Sequence, residues 1–247
     1  MDELMLFRSR MNDLSERAFQ KGIYTYSDFL TQAQQSELLK LKLSVPFTFY
    51  SGYTNAERCI AVFGDASDFG YDFSAPVTFI KIEPLQMKFA DNLTHRDFLG
   101  SLMGLGIRRE MLGDIIIKEN VAYLVCLDTV SEFIITQLDK VKHTSVKCTL
   151  SDFIPDDVLP ELKYEEIIVS SERLDVLISA VYNLSRNDSQ KRIEGETVFC
   201  DSLVVQNTSF IPKAGTLISV RGMGRFIYDG ILRQTKKGRN VIAVRIY

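Results

Sequence analysis

Glu172-Arg173-Leu174-Asp175-Val176-Leu177-Ile178-Ser179-Ala180-Val181-Tyr182-Asn183-Leu184-Ser185-Arg186-Asn187-Asp188-Ser189-Gln190-Lys191-Arg192-Ile193-Glu194-Gly195 organises the reading of the whole chain. Leu174, Leu177, Ile178 and Val181 fall at i, i+3, i+4 and i+7, which makes one apolar helical stripe and leaves Arg173 outside the core at its start. Ser185 is placed to cap a second helix through its hydroxyl, with Asp188 as a short-armed capping-box partner and Gly195 as the left-handed stop. This second helix carries Arg186, Lys191 and Arg192 among few apolar neighbours. Phosphate contact gives so polar a helix a reason to exist, because cations near a helix start add to the positive end of its dipole.

Beyond Gly195 the pattern changes to short β-rich runs, Thr197–Cys200, Leu203–Val205 and Thr216–Val220. From Lys213 to Tyr247 there are eight Lys or Arg against one acid, Asp229. A solvated hairpin turn accounts for Lys236-Lys237-Gly238-Arg239 taken alone. The charges of the helix pair in the same short unit favour a phosphate-facing surface. The candidate RNA contacts are Arg173, Arg186, Asn187, Ser189, Lys191, Arg192, Arg221 and Arg225.

Five elements in order, Arg173-Leu174-Asp175, Leu184-Ser185-Arg186, Gly195, the turn at 201–202 and the strand Gly215–Gly222, resemble the RNA-binding domain named after small-subunit ribosomal protein S four. Two residues depart from that pattern. Asp201-Ser202 stands where the family usually has Asn-Gly, so the turn lacks the residue that best tolerates positive φ. Arg192 stands where the helix usually has an apolar residue, which bears on the packing of that turn.

With 247 residues, 46% apolar and 25% charged, the chain is long enough for two or three small folded domains. No window approaches ~18 uninterrupted apolar residues, which excludes a membrane-spanning helix. Met1-Asp2-Glu3 has the wrong charge for a secretory leader, so a cytoplasmic protein is expected. Cys59, Cys126, Cys148 and Cys200 have no zinc spacing and read as buried thiols, with no metal and no cofactor. The formal charge of −3 hides an asymmetry: residues 1–163 hold 17 basic and 23 acidic groups, whereas 164–247 hold 12 and 9. Nucleic acid would meet mainly the second part.

The fold class is α+β, in three small modules. Residues 1–75 form an N-terminal α+β module, with helices over 2–21 and from Ser27 or Asp28 to Lys42, then strands Phe47–Tyr50 and Arg58–Phe63. Residues 76–150 follow the order βαββαβ of a ferredoxin-like sheet, an arrangement used by RNA-binding modules and enzymes alike. Its open face offers only Tyr123 for stacking, so RNA contact there would come from Arg96, Arg108, Arg109 or Lys118. Residues 151–169 read as an acidic connector ending in a strand-like Ile167-Ile168-Val169, and 170–247 as the basic domain.

Asp68-Phe69-Gly70 and His95-Arg96-Asp97 have the letters of two protein-kinase motifs, but in the wrong order and without the Asn that should follow. Thr94 and Asp97 read instead as a helix capping pair. Pseudouridine synthases carry an Arg-Leu-Asp whose aspartate is the nucleophile. Here Val176–Ala180 continues an amphipathic helix, and Asp175 reads as a helix N-terminal acid or the partner of a nearby arginine.

Taken whole, the chain resembles the YlmH-like family of bacterial RNA-binding proteins, on Gly52–Arg58, Thr94–Gly100, Gly104–Arg109 and Arg173–Arg186. The resemblance implies a non-catalytic, monomeric protein that binds structured RNA, ribosomal or transfer, on the large ribosomal subunit carrying peptidyl-tRNA during ribosome-associated quality control. The alternatives are an RNA-modifying enzyme of the pseudouridine-synthase type and a protein-interaction adaptor linked to cell division.

Overall fold

The structure, a computed structural model, describes residues 3–54, 56–159 and 161–247. Met1 and Asp2 of the N-terminal charge pattern, Asn55 of the 52–58 stretch and Pro160 of the connector lie outside the described residues. The chain is an α+β protein that divides into two compact units, one of residues 1–34 and 40–159, the other of 35–39 and 160–247.

The first unit opens with α1 (Glu3–Lys21), β1 (Thr25–Tyr26), the first residues of α2 (Gln32–Leu38), whose residues 35–38 count with the second unit, then β2 (Phe47–Tyr50), β3 (Ile60–Phe63) and α3 (Ala66–Phe69). The strands form a small antiparallel sheet of order β1-β3-β2. The helix expected from Ser27 or Asp28 to Lys42 is cut to Gln32–Leu38. Its first residues are used elsewhere: Ser27 N donates to Ala61 O at 3.0 Å, Phe29 N to Glu110 O at 2.8 Å and Leu30 N to Cys59 O at 2.8 Å. A donor bound to a neighbouring segment cannot also close a helical turn, and tertiary pairing overrides the local preference.

The same unit continues with β4 (Val77–Pro84), α4 (His95–Gly104), β5 (Leu112–Lys118), β6 (Val121–Leu127), α5 (Asp128–Gln137), β7 (Lys140–Val141) and β8 (Thr144–Ser151). The sheet order β5-β6-β4-β8-β7, antiparallel throughout, is the ferredoxin-like arrangement extended by one short strand. Phe98 and Leu102 of α4 and Val130 and Ile134 of α5 are buried on one face against Ile80, Ile82, Leu112 and Leu124. The other face is not open. Tyr123 and Val125 pack with Phe29, Ile60 and Val62, and Tyr123 is only 9% exposed, so it offers no stacking platform for a base. Gly113 permits this closeness, since a Cβ there would lie 2.9 Å from Phe29 and 3.0 Å from Val125.

The second unit holds β9 (Lys163–Val169), α6 (Leu174–Tyr182), α7 (Arg186–Glu194), β10 (Val198–Cys200), β11 (Leu203–Val204), β12 (Thr216–Val220), β13 (Gly224–Gln234) and β14 (Asn240–Ile246). These strands make one antiparallel sheet of order β11-β10-β12-β13-β14-β9. The segment read as an acidic connector supplies β9, which pairs with β14 from Lys163↔Ile246 to Val169↔Asn240. Its acids suit a strand because only alternate residues face inward. Leu174, Leu177, Ile178 and Ile193 are fully buried against Val198, Ile218, Phe226 and Ile242. Each such side chain contributes about 1.5–3 kcal/mol relative to exposure.

Two turns differ from their sequence reading. Gly195 is not left-handed (φ −81°); Glu196 is, at φ +57°. What Gly195 supplies is room, because a Cβ would stand 3.0 Å from Lys191 O. Asp201 and Ser202 both take positive φ without an Asn-Gly pair, and Asp201 Oδ1 braces the turn by accepting from Leu217 N at 2.9 Å. Asp and Asn tolerate this region because their short polar arms can bond locally.

Candidate nucleic-acid interface

Arg173 is the cap residue of α6, and Asp175 sits in the first turn, where the positive end of the helix favours an acid. Asp175 is fully buried. Its carboxylate receives Arg173 through Nε at 3.0 Å and Nη2 at 2.9 Å, Arg186 Nε at 3.3 Å and Gln190 Nε2 at 2.9 Å. Burial pushes its pKa up, and the hydrogen bonds from Arg173, Gln190 and Arg186 outweigh that effect and hold it below the usual carboxylate value. Arg186 and Gln190 are four residues apart and share one face of α7, which is why both reach the same carboxylate. That spacing was the signal in the sequence for Gln190, a site residue the sequence reading missed.

Two guanidinium groups share the one buried carboxylate, and an Arg side chain has five N–H donors, so each keeps donors to spare. The Arg173 side chain remains 34% and the Arg186 side chain 56% exposed. The buried Asp175 carboxylate already accepts four hydrogen bonds.

Ser185 caps α7 by accepting from Asp188 N at 3.1 Å. Asn187 and Lys191 are exposed, and at 3.6 residues per turn Lys191 stands about 140° around the helix from Arg186. Ser189 must be withdrawn as a contact: it is fully buried, and its hydroxyl donates to Ser185 O at 3.2 Å. Ser189 and Ile193 form the inward stripe of α7, so the missing apolar residue at Arg192 does not open the packing. Arg192 and Arg221 are linked through Thr197, whose N donates to Arg192 O at 3.2 Å and whose O accepts from Arg221 N at 2.8 Å. Among the described residues neither they nor Lys191 have a carboxylate within 4.0 Å. Arg225 lies over the Tyr247 ring at 4.4 Å, a cation–π contact that fixes its direction. The eight expected residues therefore form a clamped pair at the start of α6, an outer face of α7, an Arg192–Arg221 neighbourhood and a stacked Arg225, with Ser189 inside.

In the first unit, Arg96 is exposed. Arg108 pairs with Glu110 at 3.1 Å and Asp28 at 3.8 Å, and Lys118 with Asp157 at 3.5 Å. Arg109 Nη1 donates to Leu112 O at 2.6 Å and Gly113 O at 3.0 Å. The kinase-like letters have structural jobs: Thr94 and Asp97 make a capping box for α4, and Gly70 ends α3 at φ +78°. The four cysteines are free thiols, and burial pushes Cys126 and Cys200 up to about 12. Among the described residues no three His, Cys, Asp or Glu come together as a metal site, and no helix is long and apolar enough to cross a membrane.

Residues 71–154 match the family described as putative RNA-binding domain in YlmH. Over 221 residues, 86% of this chain and 83% of the relative, the chain is 29% identical to the Ribosome-associated protein quality control protein P2 of Bacillus subtilis (strain 168). The solved structure of cell division protein ylmH from Streptococcus pneumoniae aligns with TM-score 0.47 and 19% identity, over 61% of this chain and 92% of that one. The chain is thus similar to YlmH proteins, and the stretch that matches their putative RNA-binding domain lies in the first unit.

Proposed function

We propose that this chain is a non-catalytic, cytoplasmic RNA-binding protein that recognises folded ribosomal or transfer RNA on the large ribosomal subunit carrying peptidyl-tRNA, in ribosome-associated quality control. The observation that carries the reading is the match of residues 71–154 to a putative RNA-binding domain. In the second unit it is joined by Lys191, Arg192 and Arg221, cations without a carboxylate within 4.0 Å among the described residues. The B. subtilis relative's name supports the ribosomal setting. Folded RNA offers phosphates, 2′-hydroxyls and shape more readily than base edges, so dispersed guanidinium and ammonium groups suit it. Arg173, Arg186, Asn187, Lys191, Arg192, Arg221 and Arg225 are the proposed contacts. The loaded carboxylate of Asp175 supports the non-catalytic part.

The test is co-sedimentation of the purified chain with large ribosomal subunits, before and after nuclease treatment. Lys191→Glu with Arg221→Glu is the variant of choice, because reversing Arg173 or Arg186 would also break the Asp175 clamp. Loss of co-sedimentation in the folded double variant and after nuclease is the expected result. Association that survives both would replace RNA recognition by a direct protein contact.

A further inference from the structure

Arg58, just before β3, and Arg109, in the turn before β5, are both half-buried and converge on one carbonyl: Leu112 O accepts from Arg58 Nε at 3.0 Å and from Arg109 Nη1 at 2.6 Å. Their other contacts are also neutral, Arg58 Nη2 to Phe29 O at 2.8 Å and Arg109 to Gly113 O at 3.0 Å. Among the described residues neither has a carboxylate within 4.0 Å. Of the acids near them, Glu110 pairs with Arg108 and Asp28 with Arg10 at 2.9 Å, while Asp114 accepts from the neutral donors Tyr53 Oη at 2.5 Å and Glu57 N at 2.7 Å and keeps its charge. Carbonyl oxygens satisfy hydrogen bonds but bring no net charge. Two like charges held together and partly out of water are unfavourable to each other: burial, and then the charge of Arg109, pushes Arg58 down to about 10 against the opposite pull of Asp114, Glu110 and Glu57. Both arginines line a cavity of about 310 Å3 within the first unit, together with Arg10, Asp28 and Glu110.

We propose that the Arg58–Arg109 pair is a phosphate-binding site of the first unit, which takes a phosphodiester of the RNA. Planar guanidinium forks match phosphate oxygens, and a shared anion removes the repulsion between the two arginines. The inference rests on the RNA-binding reading above and gives the first unit its own contact. Arg109 belongs to the stretch matched as a putative RNA-binding domain; Arg58 lies outside it.

The experiment measures binding of the full chain to bulk transfer RNA by fluorescence anisotropy across a salt series. Wild type, Arg58→Gln, Arg109→Gln and Lys191→Glu/Arg221→Glu are compared, each checked for folding by thermal melting. Either first-unit variant should lower the magnitude of the log–log salt slope by about 0.7–0.9 and weaken binding roughly tenfold. A variant-free readout accompanies it. The chain has two histidines, and His95 titrates below its ordinary value through burial and the nearby Arg109 charge. Inorganic phosphate replacing chloride at constant ionic strength should raise the His95 titration followed by proton resonance. Unchanged slopes in folded first-unit variants overturn the site, and if both variants fail to fold, an unmoved His95 does. When only the second-unit variant weakens binding, the site falls and the RNA-binding reading stands; when wild type binds neither transfer RNA nor, in the same assay, ribosomal RNA, both fall.

Discussion

Asp175→Asn keeps the shape of the side chain and removes the charge on which Arg173, Arg186 and Gln190 meet. Removing one member of a buried ion pair costs about 3–5 kcal/mol. Here the stranded partners can regain water, the Arg173 side chain being 34% and the Arg186 side chain 56% exposed, and the amide oxygen still accepts some hydrogen bonds. Discounting for that screening gives about 1–3 kcal/mol. The assay is urea unfolding followed by circular dichroism, comparing midpoints at equal slope. The pH dependence supplies the sharper check. The folded pKa is depressed, so the carboxylate's contribution is fully present above the unfolded value of about 3.9 and is lost as pH falls through the folded pKa. The gap between wild type and variant should be flat from about pH 5 to 8 and shrink below about pH 4. Equal stability within about 0.5 kcal/mol at pH 7, or a gap that persists undiminished into acid, would refute the clamp.

Lys191→Glu with Arg221→Glu should leave the melting temperature unchanged and lower the RNA salt slope by about 1.4–1.8, at about 0.7–0.9 per phosphate contact. Ser189→Ala should leave RNA affinity unaltered, since the hydroxyl is turned inward; a measurable loss by anisotropy would return it to the interface. Thr94→Ala should cost about 0.5–2 kcal/mol in denaturant unfolding through loss of the α4 cap. Gly113→Ala should destabilise by about 1–3 kcal/mol, because a methyl group would press on Phe29 and Val125, and an unaltered unfolding midpoint would contradict that packing.

Periodicity and capping were legible wherever an element's own residues decided it. The stripe Leu174, Leu177, Ile178, the Ser185 and Thr94 caps and the βαββαβ order all follow from local spacing. The sequence could not show where a donor finds a distant acceptor. Ser27, Phe29 and Leu30 give their amides to Ala61, Glu110 and Cys59, and the acidic 163–169 segment pairs with residues 240–246. The candidate site was readable as a list of cations and unreadable as geometry: nothing local says that Arg173 and Arg186 share Asp175, that Ser189 faces inward or that Arg58 meets Arg109 over Leu112 O. Gln190 was within reach, four residues after Arg186.

Strand β14 lies between β13 and β9, although residues 240–246 are made about seventy positions after 163–169. During synthesis β9 therefore emerges long before β14, its one neighbour among the described residues, and Tyr164 and Ile168, 55% and 56% exposed even in the finished sheet, wait beside an unsatisfied backbone edge. Such late closure is slow, as distant pairings are. A chain stalled or truncated before Asn240 would present that ribbon to any passing strand.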